Sequence, residues 1–244
     1  CLFARVNYQY KDKYYLGAII RRDGSSRFGA NHRYGYFPGV NAAWRLTEEN
    51  FMKGQDILSD LKIRASYGLT GNQDIDNYAF ASMYYTNIST SSYPIAGDPN
   101  SVTQGISKES IGNPDLKWET VAKADIGIHA VFFERLTLEV DYYNQRTKDM
   151  IFDVPLSYTT GFGSILKNVG EMENKGIEFL INANVLRNKD FSWDVRFTGT
   201  ANKNKIIKLA TEKPIENTLT IRKVGEAYNT FYMPEYAGVD TETG

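Results

Sequence analysis

The sequence predicts an all-β fold, an antiparallel transmembrane β-barrel or a large piece of one. Three observations predict it. Tyr, Phe and Trp make up 14% of the 244 residues. They lie on one side of repeated segments in which apolar and polar residues alternate. Short and long connections between those segments also alternate. Strand side chains point to opposite faces in turn, so each segment has one apolar and one polar face. Strands of a soluble sandwich run about 5–6 residues. Alternating segments of roughly 9–11 residues, with charge on one side and aromatics near the ends, suit a membrane barrel.

The first segment sets Leu2, Ala4, Val6, Tyr8 and Tyr10 against Arg5, Asn7 and Gln9. After a tight turn at Lys11-Asp12-Lys13, Leu16, Ala18 and Ile20 alternate with Gly17, Ile19 and Arg21. A long connection over residues 23–34 leads to Val40, Ala42, Trp44 and Leu46, set against Asn41, Ala43 and Arg45. The next link, from Thr47 to Gly54, has a Thr cap, early acids and a closing Gly, which predicts one helical turn. Leu61, Ile63, Ala65, Tyr67 and Leu69 then oppose Lys62, Arg64, Ser66 and Gly68, and a long loop follows over residues 72–117.

The clearest segment is Val121 to Phe132, with Ala122, Ala124, Ile126, Ile128, Ala130 and Phe132 facing one way and Lys123, Asp125, Gly127 and His129 the other. Phe133-Glu134-Arg135 is a tight turn into Leu136, Leu138, Val140 and Tyr142, which alternate with Thr137, Glu139 and Asp141. A third long connection, residues 153–173, precedes Ile177, Phe179, Ile181, Ala183 and Val185. Arg187-Asn188-Lys189-Asp190 then turns into Trp193, Val195 and Phe197. The pattern predicts roughly nine or ten strands, with short turns on the periplasmic side and long loops outside. The prolines, Pro38, Pro94, Pro99, Pro114, Pro155, Pro214 and Pro234, are expected outside strand interiors, because proline has no ladder donor.

Composition narrows the function. The formal net charge is −1, from 28 basic and 29 acidic residues, so no global field points to nucleic acid. Mean hydropathy is −0.43 and no run of 18 apolar residues exists, which excludes a transmembrane helix but not a barrel with a polar lumen. The single cysteine, Cys1, permits no intrachain disulfide and reads as a strand flank rather than a lipidated anchor. The chain is expected to be part of a longer protein. No catalytic, cofactor-binding or metal-binding residue is nominated. His32 and His129 have no partner at metal-ligand spacing, and G-x-S-x-G, P-loop and dinucleotide signatures are absent. The inward charges Arg64, Lys123, Asp125, Glu139, Asp141 and Arg196 read as a wetted wall with cross-strand ion pairs. Enzyme activity is not expected.

In the long loop, Tyr84, Tyr85 and Tyr93 present flat apolar faces with hydroxyl tips. They read either as solvated loop surface or as contacts to a sugar or peptide ligand. Trp44, Trp118 and Trp193 are candidates for the aromatic belt at the membrane–water boundary, which Trp favours.

The chain resembles the SusC/RagA-type TonB-linked outer-membrane transporters through an ordered set of motifs. These are Arg21-Arg22-Asp23-Gly24-Ser25-Ser26-Arg27-Phe28-Gly29 with Tyr34-Gly35-Tyr36-Phe37-Pro38 and Ala42-Ala43-Trp44; Leu61 to Gly68 with Thr70-Gly71-Asn72-Gln73; and Asn113-Pro114-Asp115-Leu116-Lys117-Trp118-Glu119-Thr120. Asp141-Tyr142-Tyr143 with Thr147-Lys148-Asp149 follows, then Asn168-Val169-Gly170-Glu171 with Asn174 to Glu178, and Val224-Gly225-Glu226. The resemblance implies a barrel of about 22 strands closed by an N-terminal plug that lies outside this chain. It also implies active import of oligosaccharide or oligopeptide, a SusD-like surface lipoprotein as lid, and energy from the TonB-ExbB-ExbD complex through regions outside this chain. Physically, Asp23-Gly24-Ser25-Ser26 is turn chemistry, and Asn113-Pro114-Asp115 holds the chain extended at the start of a descending strand. The rival readings are a passive channel or adhesin barrel, and a soluble β-sandwich or carbohydrate-binding module.

Overall fold

A computed structural model describes residues 1–86, 92–94, 102–210, 213–216, 218–236 and 238. Eight long strands form one antiparallel sheet: β1 (Leu2–Tyr10), β2 (Tyr14–Gly24), β3 (Tyr34–Arg45), β4 (Leu58–Asn72), β9 (Glu119–Phe132), β10 (Leu136–Pro155), β11 (Ser164–Arg187) and β12 (Ser192–Lys208). Each pairs with the next in chain order, the up-and-down meander of a barrel wall. The sheet holds eight strands against the nine or ten expected, and the short ladders outside it bring the described strands to fifteen. In the long loop, β5 (Met83–Tyr85) pairs with β8 (Ser107–Ser110), and β6 (Ser92–Pro94) with β7 (Val102–Gln104). After the last long strand, β13 (Ile215–Glu216), β14 (Thr220–Arg222) and β15 (Thr230–Phe231) make a small sheet.

The connections obey local backbone chemistry. Lys11 and Asp12 have φ of 52° and 54°, and Phe133 and Glu134 have 52° and 55°. Positive φ at both central residues is the primed turn whose twist matches the flanking strands. The Thr47–Gly54 link holds two short 3-10 turns, Leu46–Glu48 and Asn50–Met52. The expected Thr cap is absent, because the Thr47 hydroxyl donates to Asp60 Oδ1 at 3.1 Å instead.

Two expectations fail in instructive ways. The connection at residues 153–173 is mostly ladder: β10 and β11 run to Pro155↔Ser164 and project as a hairpin beyond their neighbours. Pro38 lies inside β3, opposite Ile20 of β2. The β3–β4 ladder runs from Arg45↔Lys62 up to Gly39↔Gly68 and stops there, immediately below the proline. A residue without an N–H ends a ladder, so the two strands part above this point.

The register assigns every side chain a face. Val40, Tyr67, Ala124 and their cross-strand neighbours share the apolar face; Asn41, Ser66 and Asp125 share the polar one. On the apolar face Leu2, Val6, Leu16, Ile20, Val40, Tyr67, Ile126, Tyr142, Ile177 and Phe197 are all exposed. Among the described residues no second layer covers them, as a sandwich would require. Buried hydrophobic residues are few, and the cluster Phe28, Phe37, Leu116 and Trp118 sits at the long-loop end of the sheet. No helix among the described residues is long and apolar enough to cross a membrane, which says nothing of crossing by strands.

Candidate functional site

The polar face carries a connected charge network across β3, β4, β9 and β10. Arg45 Nε donates to Asp60 Oδ1 at 2.7 Å. His129 bridges two acids, with Nε2 3.8 Å from Asp60 and Nδ1 3.1 Å from Glu139. Arg64 Nη2 lies 3.5 Å from Glu139 and 2.6 Å from Asp141, and its Nε donates to Asp141 Oδ1 at 3.0 Å. The Arg64–Asp141 pair skips a strand, since the register runs Arg64↔Gly127↔Asp141. Gly127 makes this possible: a Cβ there would overlap Asp141 Oδ1 and lie 2.9 Å from Arg64 Nε. Asp141 also faces Glu178 across the β10–β11 ladder. Opposed like charges are unfavourable, and the Arg64 guanidinium offsets them.

The expected wall of ion pairs is therefore present, with differences. Lys123 pairs along its own strand, 3.2 Å from Asp125, and Ser66 donates to Asp125 at 3.2 Å. Arg196 faces the same side, opposite Asn182, without an ion-pair partner among the described residues. The arrangement lines the polar face with fixed, solvated charges. Among the described residues no group of acids, His and Cys could hold a metal ion.

Above the wall, motifs far apart in sequence meet at one junction. Phe28, from the β2–β3 loop, packs 5.3 Å from the Trp118 ring, and Phe37 meets that ring edge-on at 5.5 Å. Leu69, Ile75, Ile151 and Leu166 complete the cluster. The cluster lies where β3 and β4 part at Pro38. Trp118 Nε1 donates to Arg33 O at 3.3 Å. The Asn168 side chain grips residue 117 like a strand partner: it accepts from Lys117 N–H at 3.0 Å and donates to Lys117 O at 2.8 Å. It also donates to Asp149 O at 2.8 Å, where a β-bulge in β10 with φ of 56° at Asp149 interrupts the ladder. Glu119 accepts from Asn72 and from Ile151 N–H, both at 2.7 Å. Asn113 donates to Leu166 O at 2.8 Å. The long loop thus stands on a hydrogen-bonded, partly buried base.

Trp118 does not join a lipid-facing belt; it is 8% exposed, and burial of its ring with the indole N–H satisfied overrides the residue's interface preference. Trp44 and Trp193 differ from it. Both lie on the apolar face at the short-turn end, 39% and 51% exposed. Trp44 stacks on Tyr14, ring centroids 6.4 Å apart. Glu49, in the short β3–β4 link, fixes this aromatic pair by accepting from Tyr14 OH at 2.6 Å, Lys13 Nζ at 2.9 Å and Trp44 Nε1 at 3.2 Å. These donors, Tyr14 foremost, hold its carboxyl down at about 2.

Tyr84, Tyr85 and Tyr93 are 62%, 37% and 55% exposed. They do not form one platform: Tyr84 and Tyr85 are consecutive in β5 and point to opposite faces, and Tyr93 sits in the β6–β7 ladder. Residues 87–91 and 95–101 of the 72–117 loop lie outside the described residues. Asn168 and Glu119, the latches of the loop base, escaped the sequence reading. Their roles depend on contacts 51 and 32 residues away, and the only signal was their place within the recurring motifs.

Comparison with known proteins places this architecture. Residues 2–231 match the family model described as "TonB dependent receptor-like, beta-barrel". A TonB-dependent receptor of Formosa agariphila is 39% identical over 98% of this chain and 24% of its own length. The TonB-dependent receptor SusC of Bacteroides thetaiotaomicron is 36% identical over 99% of this chain and 25% of its own. A solved structure of the RagAB peptide importer in a closed-closed state superposes with a TM-score of 0.87 at 36% identity, over 99% of this chain and 26% of that one. The chain spans about a quarter of the length of these relatives.

Proposed function

Because this chain belongs to the TonB-dependent receptor β-barrel family, we propose that it forms part of the wall of an outer-membrane active importer of oligosaccharide or oligopeptide nutrients. One observation carries this reading: a single sheet with an exposed apolar face of membrane height on one side and an ion-paired polar face on the other. The first face suits lipid, and the second suits a wet passage that performs no bond chemistry. Solved relatives described as a peptide importer support oligopeptide cargo. The flat, hydroxyl-tipped rings of Tyr84 and Tyr93 suit sugar rings equally.

In this reading the long loops meet the cargo outside the membrane beneath a SusD-like lipoprotein lid. TonB-ExbB-ExbD supplies energy through regions beyond this chain. The 72–117 loop presents its outer arm on the base built around Trp118 and Asn168. A passive channel is the rival reading, and the same strands would serve it.

The arm can be tested without disturbing its base. Gly112 N–H donates to Ser82 Oγ at 3.1 Å, so the two ends of the arm already touch. Replacing residues 83–110 of the full-length protein by a short Gly-Ser linker is expected to reduce cargo uptake or lipoprotein association. Heat-modifiable insertion in the membrane should persist. Unchanged uptake together with unchanged association would remove the arm from the mechanism. Uptake that survives loss of TonB undiminished would favour the passive channel.

A further inference from the structure

We propose that the outer rim of the lipid-facing surface is a binding girdle for phosphate-bearing lipid headgroups, built by Lys203 and Lys205 with Lys175 and Arg22. This inference rests on the proposed orientation, with the long loops outside. The register carries it. On β12 the apolar face runs Trp193, Val195, Phe197, Gly199 and Ala201, opposite Leu186, Ala183, Ile181, Phe179 and Ile177 of β11. The next residues on that same face are Lys203, opposite Lys175, and Lys205, opposite Glu173. The face therefore switches from apolar to basic within one residue pair.

The switch falls at the height expected of a headgroup layer. From the belt residue Trp193 to Lys203 is about ten residues, or ~33 Å along the strand at ~3.3 Å each. At a tilt of about 40° this is ~25 Å along the membrane normal, the height of the apolar band of such barrels. β2 and β3 show a similar, slightly shorter band. Above the belt pair Tyr14 and Trp44, Arg22 (opposite Tyr36) comes after about eight residues, or ~20 Å along the normal at the same tilt, and Tyr34 (opposite Gly24) after about ten. Here Arg22 faces outward, its guanidinium 4.0 Å from the Tyr34 ring centre. On β10 the same face carries Arg146, held by Glu171. At the short-turn rim the carboxylate of Glu49 is already paired with Lys13, beside Tyr14 and Trp44.

Within the outer rim Lys175 is shared with Glu173 at 3.5 Å. Lys203 and Lys205 are exposed and have no ion-pair partner among the described residues. Exposed ammonium groups two residues apart, at the edge of a surface already committed to lipid, complement phosphates whose acyl chains lie against Phe197 and Ile177. A soluble anionic partner would not explain the continuity of the basic pair with the apolar band.

The test uses the full-length protein reconstituted in nanodiscs of phosphatidylcholine containing a minority of phosphatidylglycerol, with the lipid retained on release counted by native mass spectrometry. Wild type should enrich phosphatidylglycerol, and Lys203→Gln/Lys205→Gln should lose about fivefold of that enrichment per lysine at low salt. Lys203→Arg/Lys205→Arg should restore it. Equal enrichment in wild type and the double Gln variant would overturn the girdle. Failure of either protein to insert into pure phosphatidylcholine discs would instead overturn the membrane reading on which it rests.

Discussion

Gly127 offers the sharpest test of how the polar wall is built. Alanine normally suits a strand better than glycine, by roughly 0.5–1 kcal/mol. At residue 127 its methyl would occupy the path by which Arg64 reaches Asp141. The pair is bidentate, at 2.6 and 3.0 Å, but Arg64 and Asp141 side chains are 42% and 26% exposed. Its worth is therefore discounted to about 1 kcal/mol. Displacing it, with crowding of ~1 kcal/mol, makes Gly127→Ala destabilising by about 1 kcal/mol net. In an Arg64→Met background the pair is already gone, so Gly127→Ala should become neutral or mildly stabilising. Urea unfolding of the full-length barrel in micelles, with all four members of the cycle at constant m-value, measures the coupling. A coupling below about 0.5 kcal/mol is within ordinary additivity. That result would refute the role assigned to the glycine.

Two further outcomes follow from the loop base and the belt. Trp118→Ala should cost about 3–5 kcal/mol of local stability by leaving a cavity between Phe28, Phe37 and Leu116; limited proteolysis should then cut residues 73–118 far faster while the strands stay protected, and unchanged cutting would count against the cluster as support. Glu49 is held at about 2, below its ordinary 4.5, so its contribution to stability is present above about 4.5 and is lost as pH falls toward 2. The unfolding temperature of wild type should drop across that window, and Glu49→Gln should flatten the drop; parallel profiles would contradict it.

How much was legible depends on the range of the interactions. Alternation between Val121 and Phe132 needs only neighbours along one strand, so the faces of β9 were visible directly. The tight turns and the outward placement of Trp44 followed for the same reason. Pro38 misled, because a proline is tolerated within β3 where the ladder to β4 ends, and that ending is a property of two strands. The 153–173 segment misled as well. Its polar residues looked like loop, yet above the apolar band both strand faces meet water, and a ladder there needs no alternation.

The sequence by itself determined the strand periodicity, the two-faced wall, the tight turns and the family, since these depend on local pattern and on motifs kept in order. The tertiary structure alone decided that Trp118 is buried, that Asn168 clasps Lys117, and that Gly127 opens a path between Arg64 and Asp141. Each of these joins residues 51 or more apart in the chain, or requires a third strand between two partners. Strand register sets those meetings, and no single strand contains it.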